Sequence, residues 1–285
     1  GSAFFPFMAS QATAEALFLP AEQGQRFCIF HRPGGAEARA ALIFLHPFGE
    51  EMNKSRRMAA LQARALAAAG YAVLQIDLHG CGDSSGDFSE ASWDSWLADV
   101  SLAHAWLRTR SSAPLWLWGL RSGCLLAGAA ASRLGEPANF LFWQPVLSGK
   151  QFLQQFLRLK TAGEMLGGEG KGAGGGTDAL RRQLAEGEAV EVAGYRLAPG
   201  LAAGLERAEL ALPETPCRVE WLEMSAKEDA TLMPVAARRL EQWQAAGHRA
   251  RGAAVCGPSF WMTTEIAESP ALIVATLAAV AGGQG

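Results

Sequence analysis

The sequence predicts an α/β fold, with a doubly wound, mostly parallel sheet and a helical insertion. Short apolar runs alternate with longer helical patterns from Phe27 onward, which is typical of successive βα units. The hydrophobic content of 49% is enough to fill one core in a chain of 285 residues. The alternation breaks between Ser148 and Leu212, which indicates an insertion within a single domain.

The predicted strands are short buried runs, and each is followed by a loop or a helical pattern. Because parallel strands are covered on both faces, such runs are continuously apolar. In order, the strands are predicted at 41–45, 72–76, 115–118, 139–143, 219–224 and 253–255. Helical spacing predicts helices at 58–69, 93–110, 124–134 and about 270–280. This order matches a doubly wound sheet.

The insertion divides the chain into a core and a cap. We expect residues 16–147 and 213–281 to form the core, and residues 148–212 to form a cap with helices at 152–166, 179–186 and 198–210. Glycine-rich sequence at 167–176 is costly to order, so we expect mobility there. Residues 1–7 resemble an expression remnant and are excluded from functional interpretation.

The bulk properties exclude several classes of function. A net charge of −3 provides no field that would attract nucleic acid or an anionic membrane. Five scattered cysteines without CxxC spacing argue against a disulfide framework and a zinc site. The chain has no apolar run long enough to span a membrane. We therefore expect a cytoplasmic protein, and no cofactor or metal is indicated.

Three motifs lie where predicted strands end. They are His46-Pro47-Phe48-Gly49, the glycine-rich turn Asp77 to Ser84, and Gly119-Leu120-Arg121-Ser122-Gly123. The last motif joins a strand directly to an alanine-rich helix, and this strand–turn–helix succession is typical of a nucleophile elbow.

Together, the three motifs resemble those of the α/β-hydrolase superfamily. The stretch from His46 to Arg57 and the elbow are similar, more narrowly, to the exosortase A system-associated hydrolase 2 proteins. The resemblance implies an α/β-hydrolase fold and a bacterial PEP-CTERM and exopolysaccharide setting, with protein partners from that system. It also implies a nucleophile at the elbow, an acid after the next-to-last strand and a histidine after the last strand.

The chain departs from this triad at two of its three positions. The elbow residue is Arg121, whose guanidinium stays cationic and cannot act as a nucleophile near neutral pH. The final loop has Ser259 within Cys256-Gly257-Pro258-Ser259-Phe260-Trp261 and contains no histidine. Asp229 occupies the position of the acid, but it has no histidine to orient.

Two residues are rescue candidates for catalysis. Ser122 lies one residue past the elbow vertex, so its side chain is expected about 100° around the helix from Arg121. Its alternative role is to let the elbow pack tightly. His46 follows a strand on the active face, and it is either a base or a polar lining group. Cys124 is expected to be a buried structural thiol.

An arginine at a helix N-terminus requires a neutralising carboxylate or anion. Glu50 and Glu51 are the leading partners of Arg121. Such a pair has two interpretations: a structural plug of the former active site, or a binding site for a carboxylate, phosphate or sugar acid. Phe48, Phe260 and Trp261 could line that site, because aromatic rings offer wide apolar contact.

Three functions remain open from the sequence. The preferred one is a non-catalytic or unconventional α/β-hydrolase homologue that binds a small anionic or polar ligand. The second is an active hydrolase or acyltransferase acting on an ester, thioester or acylated glycan with an unidentified nucleophile. The third is a scaffold that docks onto other proteins.

Overall fold

A computed structural model describes residues 11–35, 37–166 and 176–282. Ten strands are present in this part of the chain: β1 (Thr13–Pro20), β2 (Gln25–Arg32), β3 (Ala41–Leu45), β4 (Ala72–Ile76), β5 (Leu115–Leu120), β6 (Asn139–Trp143), β7 (Val190–Val192), β8 (Tyr195–Leu197), β9 (Arg218–Ser225) and β10 (Arg249–Cys256). Eight of them form one sheet in the order β1-β2-β4-β3-β5-β6-β9-β10. All pairs are parallel except β1–β2 and β2–β4.

Eight α-helices connect or extend these strands in the described part of the chain. They are α1 (Glu50–Ala68), α2 (Trp93–Arg108), α3 (Ser122–Ala131), α4 (Gly149–Leu166), α5 (Gly176–Ala185), α6 (Pro199–Arg207), α7 (Pro234–Ala245) and α8 (Pro270–Ala281). A short 3-10 helix at Phe88–Glu90 precedes α2. The predicted doubly wound, mostly parallel architecture is confirmed.

Two apolar layers cover the two faces of the sheet. One layer joins alternate residues of the strands, such as Ile43 and Leu117, to α2, α3 and residues 148–212, which we call the cap. The other joins the intervening residues, such as Leu42 and Trp118, to α1 and α8. The central strands are therefore buried on both sides, which explains why their sequences are continuously apolar.

The structure adds two elements at the N-terminal side that the sequence patterns did not reveal. The strands β1 and β2 form an antiparallel hairpin at the sheet edge, and most of β1 is exposed. Helix α1 begins at Glu50, eight residues before the predicted start, after Gly49 turns the chain with a φ of 65°. Glu50 and Glu51 thus lie in the first turn of α1 and not in a loop. The helix dipole stabilises carboxylates at this end of a helix.

The cap contains α4, α5, the hairpin β7–β8 and α6. Its hairpin was missed, whereas the three helices lie within a few residues of their predicted bounds. Helix α6 packs closely on α2, since a Cβ at Gly204 would lie 2.0 Å from the Cβ of Trp93. Most of the glycine-rich segment that we expected to be mobile, 167–175, lies outside the described residues.

Candidate functional site

The elbow backbone is fully formed around Arg121. Arg121 has a φ of 55° and a ψ of −119°, a conformation that costs a residue with a side chain about 1–3 kcal/mol. The surrounding glycines allow this turn to pack. A Cβ at Gly123 would lie 2.0 Å from the Leu45 carbonyl oxygen, and one at Gly119 would lie 2.6 Å from the Cys124 nitrogen. The sharp strand-to-helix turn therefore holds the Arg121 side chain above the sheet.

The guanidinium of Arg121 pairs with one carboxylate. Its Nε donates to Glu51 Oε1 at 2.9 Å, and the two side chains are 22% and 23% exposed. Burial raises the pKa of the Glu51 carboxyl above its ordinary value, although the charge and hydrogen bond of Arg121 oppose this shift. The pair is thus partly dehydrated but open to solvent on one side.

Two aromatic rings flank the same guanidinium. Its carbon atom lies 5.8 Å from the Phe152 ring centroid and 5.7 Å from that of Trp261, within the range of cation–π attraction. Within residues 11–35, 37–166 and 176–282, Nη1 and Nη2 make no hydrogen bond. Since a guanidinium has five N–H donors, four remain for a ligand or solvent.

Glu50 binds the cap instead of Arg121. Tyr195 of β8 donates its hydroxyl to Glu50 Oε1 at 2.8 Å. The Asn53 side-chain amide donates to Glu50 Oε1 and to the Tyr195 hydroxyl oxygen, each at 3.1 Å. The first turn of α1 therefore contacts the elbow through Glu51 and the cap through Glu50.

Both ring nitrogens of His46 form hydrogen bonds with backbone groups. Its Nδ1 lies 2.6 Å from the Pro47 carbonyl oxygen, and its Nε2 accepts from the Leu78 N–H at 2.9 Å. This pattern requires the neutral ring with the proton on Nδ1. Burial also lowers the His46 pKa, against the opposing charge of Asp77. In this geometry His46 has no lone pair available to act as a base.

Neither Ser122 nor Cys124 has the surroundings of a nucleophile. Both are buried at the start of α3. All five histidines lie in the described ranges, and there none of them hydrogen-bonds to Ser122 or Cys124. Their ring partners are Gln75 for His31, Pro47 and Leu78 for His46, Ser95 for His79, Glu136 for His104 and Cys217 for His248. Cys124 is a free, buried thiol, and burial raises its pKa well above the usual range, so it is protonated and poorly nucleophilic near neutral pH.

The two remaining triad-equivalent positions do not converge on the elbow through any hydrogen bond in the described residues. Asp229 is exposed in the loop after β9. Ser259 is half-buried, and its carbonyl oxygen accepts from Met262 in a turn after β10. The arrangement can hold an anion by charge and hydrogen bonds, but it shows no serine–histidine pair at the elbow.

The predicted aromatic lining residues occupy different depths. Phe48 is buried among Phe88, Trp96, Phe152 and Phe156. Phe260 is fully buried, and its ring packs against those of Trp143 and Trp261. Trp261 is the predicted aromatic residue that reaches the guanidinium. Phe152 and Tyr195 were not predicted, because no local motif in the cap indicates which of its aromatic residues face the core.

No cluster of three or more His, Cys, Asp or Glu side chains that could hold a metal ion occurs in the described residues. No helix in the same part of the chain is long and apolar enough to cross a membrane.

Known proteins support the fold. Residues 36–163, slightly under half of the chain, match the family model described as serine aminopeptidase, S33. No curated protein sequence matches the chain.

Solved structures match nearly the whole chain. Est1E from Butyrivibrio proteoclasticus with bound ferulic acid is 13% identical, with a TM-score of 0.68 over 93% of this chain and 98% of that one. XC6422 from Xanthomonas campestris, described as an a/b serine hydrolase without lid, is 17% identical, with a TM-score of 0.56 over 98% and 97%. A putative hydrolase from Agrobacterium vitis S4 is 16% identical, with a TM-score of 0.56 over 95% and 98%. Together with the elbow and the strand order, these likenesses identify the chain as an α/β-hydrolase-fold protein.

Proposed function

We propose that this protein binds a small anionic ligand at Arg121 and performs no covalent catalysis at its elbow. The ligand carries a carboxylate or phosphate, as in a sugar acid. The observation that carries this proposal is the partly exposed guanidinium at the elbow, which uses only Nε for Glu51 and presents Nη1 and Nη2 without a hydrogen-bond partner in the described ranges.

A comparison with a second arginine, Arg56, supports a binding site rather than a plug. Arg56 grips Asp77 with two parallel hydrogen bonds, from Nη1 to Oδ1 at 3.1 Å and from Nη2 to Oδ2 at 2.8 Å. Such a fork saturates the planar edge of the guanidinium. Glu51 takes a single hydrogen bond from Arg121, so the equivalent edge of Arg121 stays available to a ligand.

The rings beside Arg121 strengthen its attraction for an anion. Phe152 and Trp261 flank the guanidinium and are themselves buried, so they exclude water from one side of the charge. Est1E, which shares the fold, was solved with ferulic acid, an aromatic carboxylic acid. Ferulate is therefore a suitable probe alongside glucuronate and inorganic phosphate.

The resemblance of the elbow and of residues 46–57 to exosortase A system-associated hydrolase 2 supports a cytoplasmic role in bacterial exopolysaccharide export. A sugar acid or its phosphate is a chemically fitting ligand in that setting. Partner proteins of the same system are a further part of this proposal.

Isothermal titration calorimetry with ferulate, glucuronate and phosphate tests the proposal. At least one probe is expected to bind saturably to the wild type and about tenfold or more weakly to Arg121→Gln, because a charge-assisted fork contributes about 1.5–3 kcal/mol. Arg133→Gln is the matched control, since this exposed arginine lies just past the other end of α3. It is expected to bind like the wild type.

Equal affinity in wild type and Arg121→Gln for every probe would contradict anion binding at the elbow. Turnover of short acyl esters by the wild type, surviving Ser122→Ala but abolished by His46→Ala, would instead favour the active-hydrolase alternative. Retained folding of the His46 variant would be checked by circular dichroism.

A further inference from the structure

The cap contains a solvent-open cavity of about 470 Å³ between α4, α5 and α6. This volume lies in the range that holds small organic ligands. Its floor is made of buried apolar side chains: Leu153, Leu184 and Ala202. A cavity with such a floor gains free energy when an apolar chain displaces water from it.

Three arginines surround the mouth of this cavity. Arg181 pairs with Glu206 across the lining. Arg182 and Arg207 are exposed and form no ion pair in the described part of the chain. With Asp178 as the other acidic lining residue, the cavity has three positive and two negative side chains. The rim therefore favours a negative head group over a positive one.

The cavity is separate from the elbow site, although both touch α4. Phe152 of α4 contacts the guanidinium of Arg121, whereas its neighbour Leu153 lines the cavity. Successive helical residues point about 100° apart, so the two side chains leave α4 in different directions, and neither Arg121 nor Glu51 lines the cavity.

We propose that this cavity is a second ligand site that takes a single-chain anionic amphiphile, with the chain on the leucine floor and the head group at Arg182 and Arg207. The site goes beyond anion binding at the elbow and does not require Arg121. Its chemistry is shared by a monomeric acyl phosphate or fatty acid and by an anionic lipid, and the favoured source is the monomer, because a cavity of about 470 Å³ matches a single small molecule.

Calorimetry with dodecyl phosphate below its micelle-forming concentration tests this site. In the Arg121→Gln variant, which lacks the anion site proposed at the elbow, we expect saturable binding with one molecule per chain. In that background, the double variant Arg182→Gln/Arg207→Gln is expected to bind about tenfold more weakly, because two exposed positive charges are lost. Ala203→Trp, which places a bulky ring at the exposed lining, is expected to abolish binding.

The matched control is Arg133→Gln/Arg249→Gln, which removes two exposed arginines outside the cavity lining. In the same background it should bind like Arg121→Gln alone. Equal affinity for dodecyltrimethylammonium, or unchanged affinity in the Arg182/Arg207 variant, would overturn the proposal. Sedimentation with phosphatidylglycerol vesicles in the absence of monomer binding would also overturn it, by assigning the arginines to a membrane surface.

Discussion

Two arginine–carboxylate pairs in this molecule differ in how completely they are satisfied. Arg26 and Asp99 are 3% and 2% exposed, and Arg26 Nε lies 2.7 Å from Asp99 Oδ1. Arg26 Nη1 also donates to the carbonyl oxygens of Gln23 and Gln25, while Asp99 Oδ2 accepts from the His79 backbone. Arg121 and Glu51 are about a quarter exposed and share one hydrogen bond.

The difference separates a structural pair from a site that can exchange partners. A buried pair cannot lose one member without leaving a charge in the apolar interior. A partly exposed pair with unused donors can rearrange around a ligand at lower cost, because solvent reaches both charges. The strained elbow, a turn that holds the nucleophile in many enzymes of this fold, is thus compatible with reversible anion binding.

The largest expected effect is on the buried pair. Asp99→Asn should lower the free energy of unfolding by about 3–5 kcal/mol, because Arg26 is left as a buried, unpaired charge. Glu51→Gln should change it by about 1 kcal/mol or less, because solvent reaches Arg121 and hydrates it when the carboxylate charge is lost. Urea denaturation measures both. Equal losses would show that Arg121–Glu51 is a structural plug.

The elbow strain predicts a smaller effect on stability. Arg121→Gly should be more stable than Arg121→Ala by about 1–3 kcal/mol, since glycine adopts a φ of 55° without steric cost. The same two changes at Arg133, whose φ is not positive, should give no such advantage to glycine. Thermal unfolding of the four variants would measure this difference, and a glycine preference at both positions would refute strain at the elbow.

Glu51 should also make ligand affinity depend on pH. Its folded-state pKa is raised, so as pH falls through that value the competing carboxylate becomes neutral. Sulfate, which stays ionised, should bind about two- to fivefold more tightly at the acidic end, in line with the energy of a solvent-accessible pair. Glu51→Gln should remove most of this dependence. Equal slopes for wild type and variant in calorimetric titrations would exclude Glu51 as the competitor.

The smallest expected effect is an absence of catalysis. Arg121→Ser restores the hydroxyl but not the histidine, because residues 256–261 contain none. We expect no esterase activity above background with p-nitrophenyl acetate. Activity that a serine-directed phosphonate abolishes would reveal a base for the new serine.

The sequence predicted the central sheet and the elbow because both depend on local patterns. Parallel strands such as β3 and β5 are continuously apolar. The elbow needs glycines at fixed positions, because neighbouring backbone atoms leave no room for a Cβ there. The edge strand β1 was missed because its exposed residues carry no burial pattern. The start of α1 was missed because its first turn is polar and lacks apolar periodicity.

The candidate site was only partly accessible to sequence reasoning. The need of Arg121 for a carboxylate follows from charge alone, but the choice of Glu51 over Glu50 depends on the helical phase of α1. The contribution of Phe152 depends on how the cap docks onto the core, which no local pattern encodes. Tertiary packing therefore determined the parts of the site that the sequence left open.

A crystal structure of the protein soaked with selenate tests the central claim most directly, since selenium gives an anomalous signal. We predict an anomalous peak within hydrogen-bond range of Nη1 and Nη2 of Arg121 in the wild type, and no such peak in Arg121→Gln. A wild-type map without that peak, with Glu51 gripping Arg121 through both carboxylate oxygens, would contradict the account and establish the pair as a plug.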